Sequence, residues 1–226
     1  MSRVLVAAAV VASVAFAQKL TIDVDVASGA YAVKLDGHTW LASAPYSVHA
    51  GGKQYTSLPG GGLSLTGSST FSGSDAIGPY TGTALTWGGS LDGSFESRFL
   101  FYSSNNAIAF EQVFPDGLNG TAVPVSEAYN DLTSAFPTFL AQATPQESGL
   151  AYAAWGGCMC PAHIGQWSQQ TGFDFGRESG VLAIFNASAA TVVLSPADNF
   201  MVSALARPSG VGDHVIGAGL MVSRGR

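Results

Sequence analysis

The chain has 226 residues, of which 11% are charged and 47% hydrophobic, with 28 glycines and a formal net charge of −6. Ordinary soluble domains carry about a quarter charged residues, so this composition points to a close-packed β protein with a polar, weakly charged surface, and it excludes a disordered chain. The acidic balance makes nucleic acid and anionic membrane surfaces poor partners, since both attract clustered Lys and Arg.

Residues 1–17 read as a secretory signal peptide. Arg3 supplies the charged start, residues 4–14 an apolar run, and Ala15-Phe16-Ala17 the A-x-A pattern before Gln18. A spanning helix needs about 20 apolar residues, and here the run breaks at Gln18-Lys19. Residues 18–226 are therefore expected to form one secreted domain, free of the membrane after cleavage and one unit more acidic without Arg3.

Leu20, Ile22, Val24 and Val26 alternate with Thr21, Asp23 and Asp25. Ser28-Gly29 then turns the chain, and Tyr31, Val33 and Leu35 alternate again, which predicts a hairpin. Similar patterns recur at residues 46–50, 63–71, 83–87, 95–102, 107–114, 150–155, 181–185, 191–194 and 215–220. Turn formers lie between them, among them Gly51-Gly52, Pro59-Gly60-Gly61-Gly62, Asp92-Gly93 and Asn105-Asn106. Roughly a dozen short strands without crossover helices predict an all-β fold, expected to be a large antiparallel β-sandwich of the supersandwich kind. Residues 119–146 read as a long excursion, and short helical turns are expected near Ser126 and from Ser195-Pro196.

Candidate chemistry is sparse. Cys158 and Cys160, the only cysteines, lie three or more residues before His163 in a C-x-C-x-x-H run. A structural metal site would want a fourth ligand, so neither a metal nor any other cofactor is expected. A Cys158–Cys160 disulfide requires a tight turn, which Gly156-Gly157 and Pro161 allow, and free thiols are the alternative. His38, His49, His163 and His214 are scattered, and no nucleophile elbow or phosphate loop is present. Glu96 and Glu111 fall on neighbouring strands about the Asn105-Asn106 turn. That pairing brings Arg98 closer than Glu96 to Glu111, so a cross-strand ion pair is expected in preference to a catalytic carboxylate pair. Asp75 and Asp198 sit in turn or capping contexts. Trp87 alternates with Leu85 and should face inward. Trp167, beside Gln166, Ser168, Gln169 and Gln170, is the expected exposed aromatic for stacking on a sugar. Asn119-Gly120-Thr121 and Asn186-Ala187-Ser188 are N-glycosylation sequons.

Several segments taken together carry a family resemblance. They are Gly73-Ser74-Asp75-Ala76-Ile77-Gly78-Pro79-Tyr80 with Leu85-Thr86-Trp87, Phe95-Glu96-Ser97-Arg98-Phe99 leading to Ala109-Phe110-Glu111-Gln112-Val113-Phe114-Pro115, Ala135-Phe136-Pro137-Thr138-Phe139, and Leu194-Ser195-Pro196-Ala197-Asp198-Asn199-Phe200. They resemble the N-terminal β-sandwich region of large secreted glycoside-hydrolase-like proteins of the α-galactosidase and raffinose-synthase kind. The resemblance implies a module that packs on a catalytic (β/α)₈ barrel, with carbohydrate or that barrel as its partner. It supplies no catalytic residue, because in such proteins the carboxylates lie on the barrel, and it implies that this chain is a piece of a longer protein. The resulting expectation is a secreted carbohydrate-associated module. A self-contained glycoside hydrolase using a carboxylate pair and a structural or adhesive secreted protein stay open beside it.

Overall fold

A computed structural model describes residues 3–8, 18–121, 132–141, 149–155, 162–167, 181–197, 203–206, 211 and 215–221. In chain order the strands are β1 (Arg3–Ala8), β2 (Leu20–Val24), β3 (Tyr31–Leu35), β4 (His38–Ala42), β5 (Ser47–Ala50) and β6 (Lys53–Thr56). The long hairpin β7 (Leu63–Ser74) and β8 (Pro79–Gly89) comes next, then β9 (Phe95–Tyr102), β10 (Ala107–Val113) and β11 (Leu132–Leu140). The remainder are β12 (Ala151–Trp155), β13 (Ala162–Gln166), β14 (Leu182–Phe185), β15 (Thr191–Leu194), β16 (Ser203–Ala206) and β17 (Val215–Met221). Among the described residues no helix is long and apolar enough to cross a membrane.

The all-β expectation holds, but the large β-sandwich does not. The strands form four small sheets in a four-bladed, β-propeller-like arrangement. One blade is the meander β2-β3-β4, a second has the order β1-β10-β9-β8-β7, a third β13-β12-β14-β15, and the fourth β16-β17-β11-β5-β6. Every pairing between these strands is antiparallel. Alternation misleads here because it reports only that one face of a strand is buried, and not which sheet lies opposite. Most strands outside the β7–β10 region have only four or five residues. A short link such as 43–46, with Ala44 and Tyr46 buried, then carries the chain from one blade to the next.

One hydrophobic cluster draws on all four sheets and has an aromatic centre. Phe136 packs with its centroid 5.3 Å from both Tyr46 and Phe99 and 5.7 Å from Phe110, while Tyr31 stands 4.9 Å from Phe99. Pro137 has no amide hydrogen to give, and the β11–β17 ladder shifts register between Ala135 and Thr138. The Tyr31 hydroxyl covers this break: it accepts from the Thr138 amide and donates to the Thr138 carbonyl, both at 2.7 Å.

Two expected turns are present with identifiable causes. At Ser28-Gly29 the Asp25 carboxylate accepts from the Ala27 amide and the Ser28 hydroxyl, and Gly29 takes φ +80°. A Cβ at Gly29 would lie 2.6 Å from Cη2 of Trp87. Gly29→Ala is therefore expected to destabilise the fold by about 2–3 kcal/mol, combining overpacking with an unfavourable left-handed backbone. Denaturant unfolding of the variant against the parent checks this. At the second turn, Asn106 (φ +51°) reaches back to the start of β2, its Oδ1 accepting from the Leu20 amide and its Nδ2 donating to the Gln18 carbonyl.

The excursion expected over 119–146 contains β11, the middle strand of the fourth blade. The helical turn expected near Ser126 lies outside the described residues, and residues 195–197 are not helical.

Candidate functional site

The β7–β8 hairpin is set by its tip. Asp75 Oδ1 accepts from the amides of Ile77 (2.8 Å) and Gly78 (3.3 Å), and its Oδ2 accepts from the Tyr102 hydroxyl on β9 at 2.6 Å. That phenol, followed by the backbone amides, holds the exposed Asp75 carboxyl below its ordinary pKa, while burial and the Asp75 contact raise the phenol of Tyr102. The turn fixes the register Ser74↔Pro79, and hence Ser72↔Thr81 and Thr70↔Thr83 further along. On the outer face the rings of Phe71 and Tyr80 lie over glycines of the opposite strand. A Cβ at Gly82 would sit 2.4 Å from Phe71, and one at Gly73 would sit 2.4 Å from the Tyr80 hydroxyl. Arg98 stands 5.8 Å from the Phe71 ring.

With the aromatics on the outer side, strand alternation puts Thr70, Ser72, Thr81 and Thr83 together on the inner side. Their β9 neighbours on that face are Phe101, opposite Thr81, and Phe99, opposite Thr83. Ile22 and Val24 of β2 form the facing wall, enclosing a cleft of about 550 Å³ between two blades. The intervening Asp23 does not line it and pairs with Lys34. Among the described residues, none of the four hydroxyls has an intramolecular hydrogen-bond partner, and Thr70, Ser72 and Thr81 are exposed. Among the described residues no ionisable side chain lines the cleft, so they offer neutral donors and acceptors beside an apolar wall.

The residues singled out from sequence fall elsewhere. Trp167 is only 1% exposed and belongs to the central core, with its amide donating to the Leu150 carbonyl at 2.8 Å. It is therefore corrected from a surface platform to a core residue: its large apolar ring decides its placement, whatever the polarity of the residues beside it. Trp87 faces inward as expected, 2% exposed with Leu85 fully buried. Cys158, Cys160, Asp198 and His214 lie outside the described residues. Of the other histidines, His38 is exposed, His49 is buried, and His163 lies on β13. Among the described residues no group of three or more His, Cys, Asp or Glu converges to hold a metal.

Glu111 does stand opposite Arg98, as the turn-centred pairing predicts. The guanidinium nevertheless engages Glu96 on its own strand, through Nε at 2.8 Å and Nη2 at 2.6 Å. Asn119 is exposed in a loop, whereas Asn186 is half-buried, its Oδ1 accepting from the Ser188 and Ala190 amides.

The cleft residues Thr70, Ser72, Thr81, Thr83 and Phe101 escaped the sequence reading. The signal that locates them is the Asp75-Ala76-Ile77-Gly78 turn midway between two alternating segments, which sets the cross-strand register. No protein-family model matches the chain, and comparison with curated proteins and with solved structures finds no match.

Proposed function

We propose that the protein is a secreted, non-catalytic, carbohydrate-associated module whose inter-blade cleft takes a neutral polyhydroxylated ligand. The observation that carries this reading is the set of four unpartnered hydroxyls beside Phe101, Ile22 and Val24 in an uncharged cleft. Sugars present hydroxyls around an apolar ring face, so they match a site with both kinds of surface. The class of ligand also agrees with the resemblance to glycoside-hydrolase-associated domains. Catalysis is disfavoured because hydrolysis of a glycoside uses two free carboxyl groups, whereas Glu96 is held by Arg98 and, among the described residues, none lines the cleft.

A glycan array combined with a hydrolysis assay tests the proposal. Binding of neutral glycans without turnover is expected, with affinity flat between about pH 5 and 9 because no titratable group faces the ligand. Ser72→Ala with Thr81→Ala should weaken binding about tenfold, the worth of one or two neutral hydrogen bonds, while the fold is kept. Hydrolysis abolished by Glu96→Gln or Glu111→Gln in a folded protein would favour an enzyme. Failure to bind any neutral glycan would favour a structural or adhesive role.

A further inference from the structure

We propose that the outer edge of β10 is a strand-accepting interface which, once the leader is removed, pairs with the same edge of a second copy. The inference rests on cleavage after Ala17 and is independent of the cleft. In the full-length chain the leader segment Arg3–Ala8 lies antiparallel along β10, with six consecutive pairs from Arg3↔Val113 to Ala8↔Ile108. Cleavage would remove that cover.

The two edges of this blade are built differently. β7 is rich in Ser, Thr and Gly, largely exposed, and interrupted by a register shift between Leu65 and Gly67. Polar composition and bulges are how soluble proteins discourage edge pairing. β10 has no Pro, Lys or Gly, pairs with β9 without a break, and is buried from Ile108 to Val113. An uninterrupted, unprotected edge favours addition of an extended strand.

A second copy fits this edge by charge. A two-fold axis at Phe110 sets Ala107 against Val113, Ile108 against Gln112 and Ala109 against Glu111. Glu111, the only charged residue of the strand, then meets a small neutral side chain and not its own image. Partners in this register have equal parity, so the apolar inner faces of the two blades continue on one side. The contact is isologous and closes at two subunits.

Sedimentation of exported protein, compared with the same chain made without export and retaining residues 1–17, tests the proposal. The exported form should show twice the monomer mass at micromolar concentration, and the leader-bearing form the monomer mass. In both, those amides of residues 107–113 that point away from β9 should be protected from hydrogen exchange. A synthetic peptide of residues 3–8 should return the exported dimer to monomer. Exported protein that retains residues 1–17, a leaderless form that stays monomeric at micromolar concentration, or a dimer indifferent to the peptide would overturn it.

Discussion

Phe136→Ala is expected to lower the unfolding free energy by about 3–5 kcal/mol, the range for removing a buried phenylalanine ring. Phe136 is fully buried at the meeting point of strands from different blades, with Tyr46, Phe99, Phe110 and Tyr31 all within 6.0 Å between centroids. The void left by alanine cannot be filled easily, because its neighbours are rings held by separate sheets. Denaturant unfolding should show a lower midpoint with an unchanged slope, and Phe136→Leu should recover a good part of the loss. A loss below about 1 kcal/mol, the size typical of an average substitution, would mean that the aromatic centre does not hold the blades together.

Raising the pH above about 10, where tyrosines of an unfolded chain ionise, should unfold the protein cooperatively. Burial pushes the phenols of Tyr31 and Tyr46 far above that value, and the neighbouring Tyr31 pushes Tyr46 further. Below about pH 10 both are protonated in either state and their contribution to stability is intact. Above it the unfolded chain releases protons that the folded chain retains, so stability falls as pH rises toward the folded values. Tyr31 and Tyr46 alone contribute a slope of about 2.7 kcal/mol per pH unit, to which the raised phenol of Tyr102 adds. In far-UV circular dichroism and phenolate absorbance recorded together, the last tyrosines to ionise should do so as the dichroism is lost, and Tyr31→Phe should lower the slope by about 1.4 kcal/mol per pH unit. Ionisation of all seven tyrosines at about pH 10 while the dichroism stays native would contradict the burial of these rings.

Strands whose two faces differ were legible in the sequence, as at Tyr31–Leu35 and Phe95–Tyr102, where the observed bounds match the alternation. β11 was not. Its interior from Ser134 to Phe139 is buried without alternation, and Pro137 argues against a strand. Sheet partnership was equally hidden, because it depends on which distant segments meet. The cleft lay between these cases: its residues sat partly within recognisable strands, but their convergence needed both the β7–β8 register and the approach of β2. At Trp167 the polar residues beside it in sequence say nothing of its burial, which the large apolar indole decides.

The fourth blade gathers β5–β6, β11 and β16–β17 from well-separated parts of the chain, and Tyr31 reaches Thr138 across 107 residues. Synthesis delivers these pieces in order, so β11 can dock on β5 early but must wait for β17 before its other side is paired. Until then three blades can be in place while the fourth holds only β11, β5 and β6, so the interior they share stays unsealed. Such non-local closure is slow to find and gives little reward before it is complete. Sealing of the shared interior is thereby deferred until residues 215–221 have been delivered, however early the other three blades are formed.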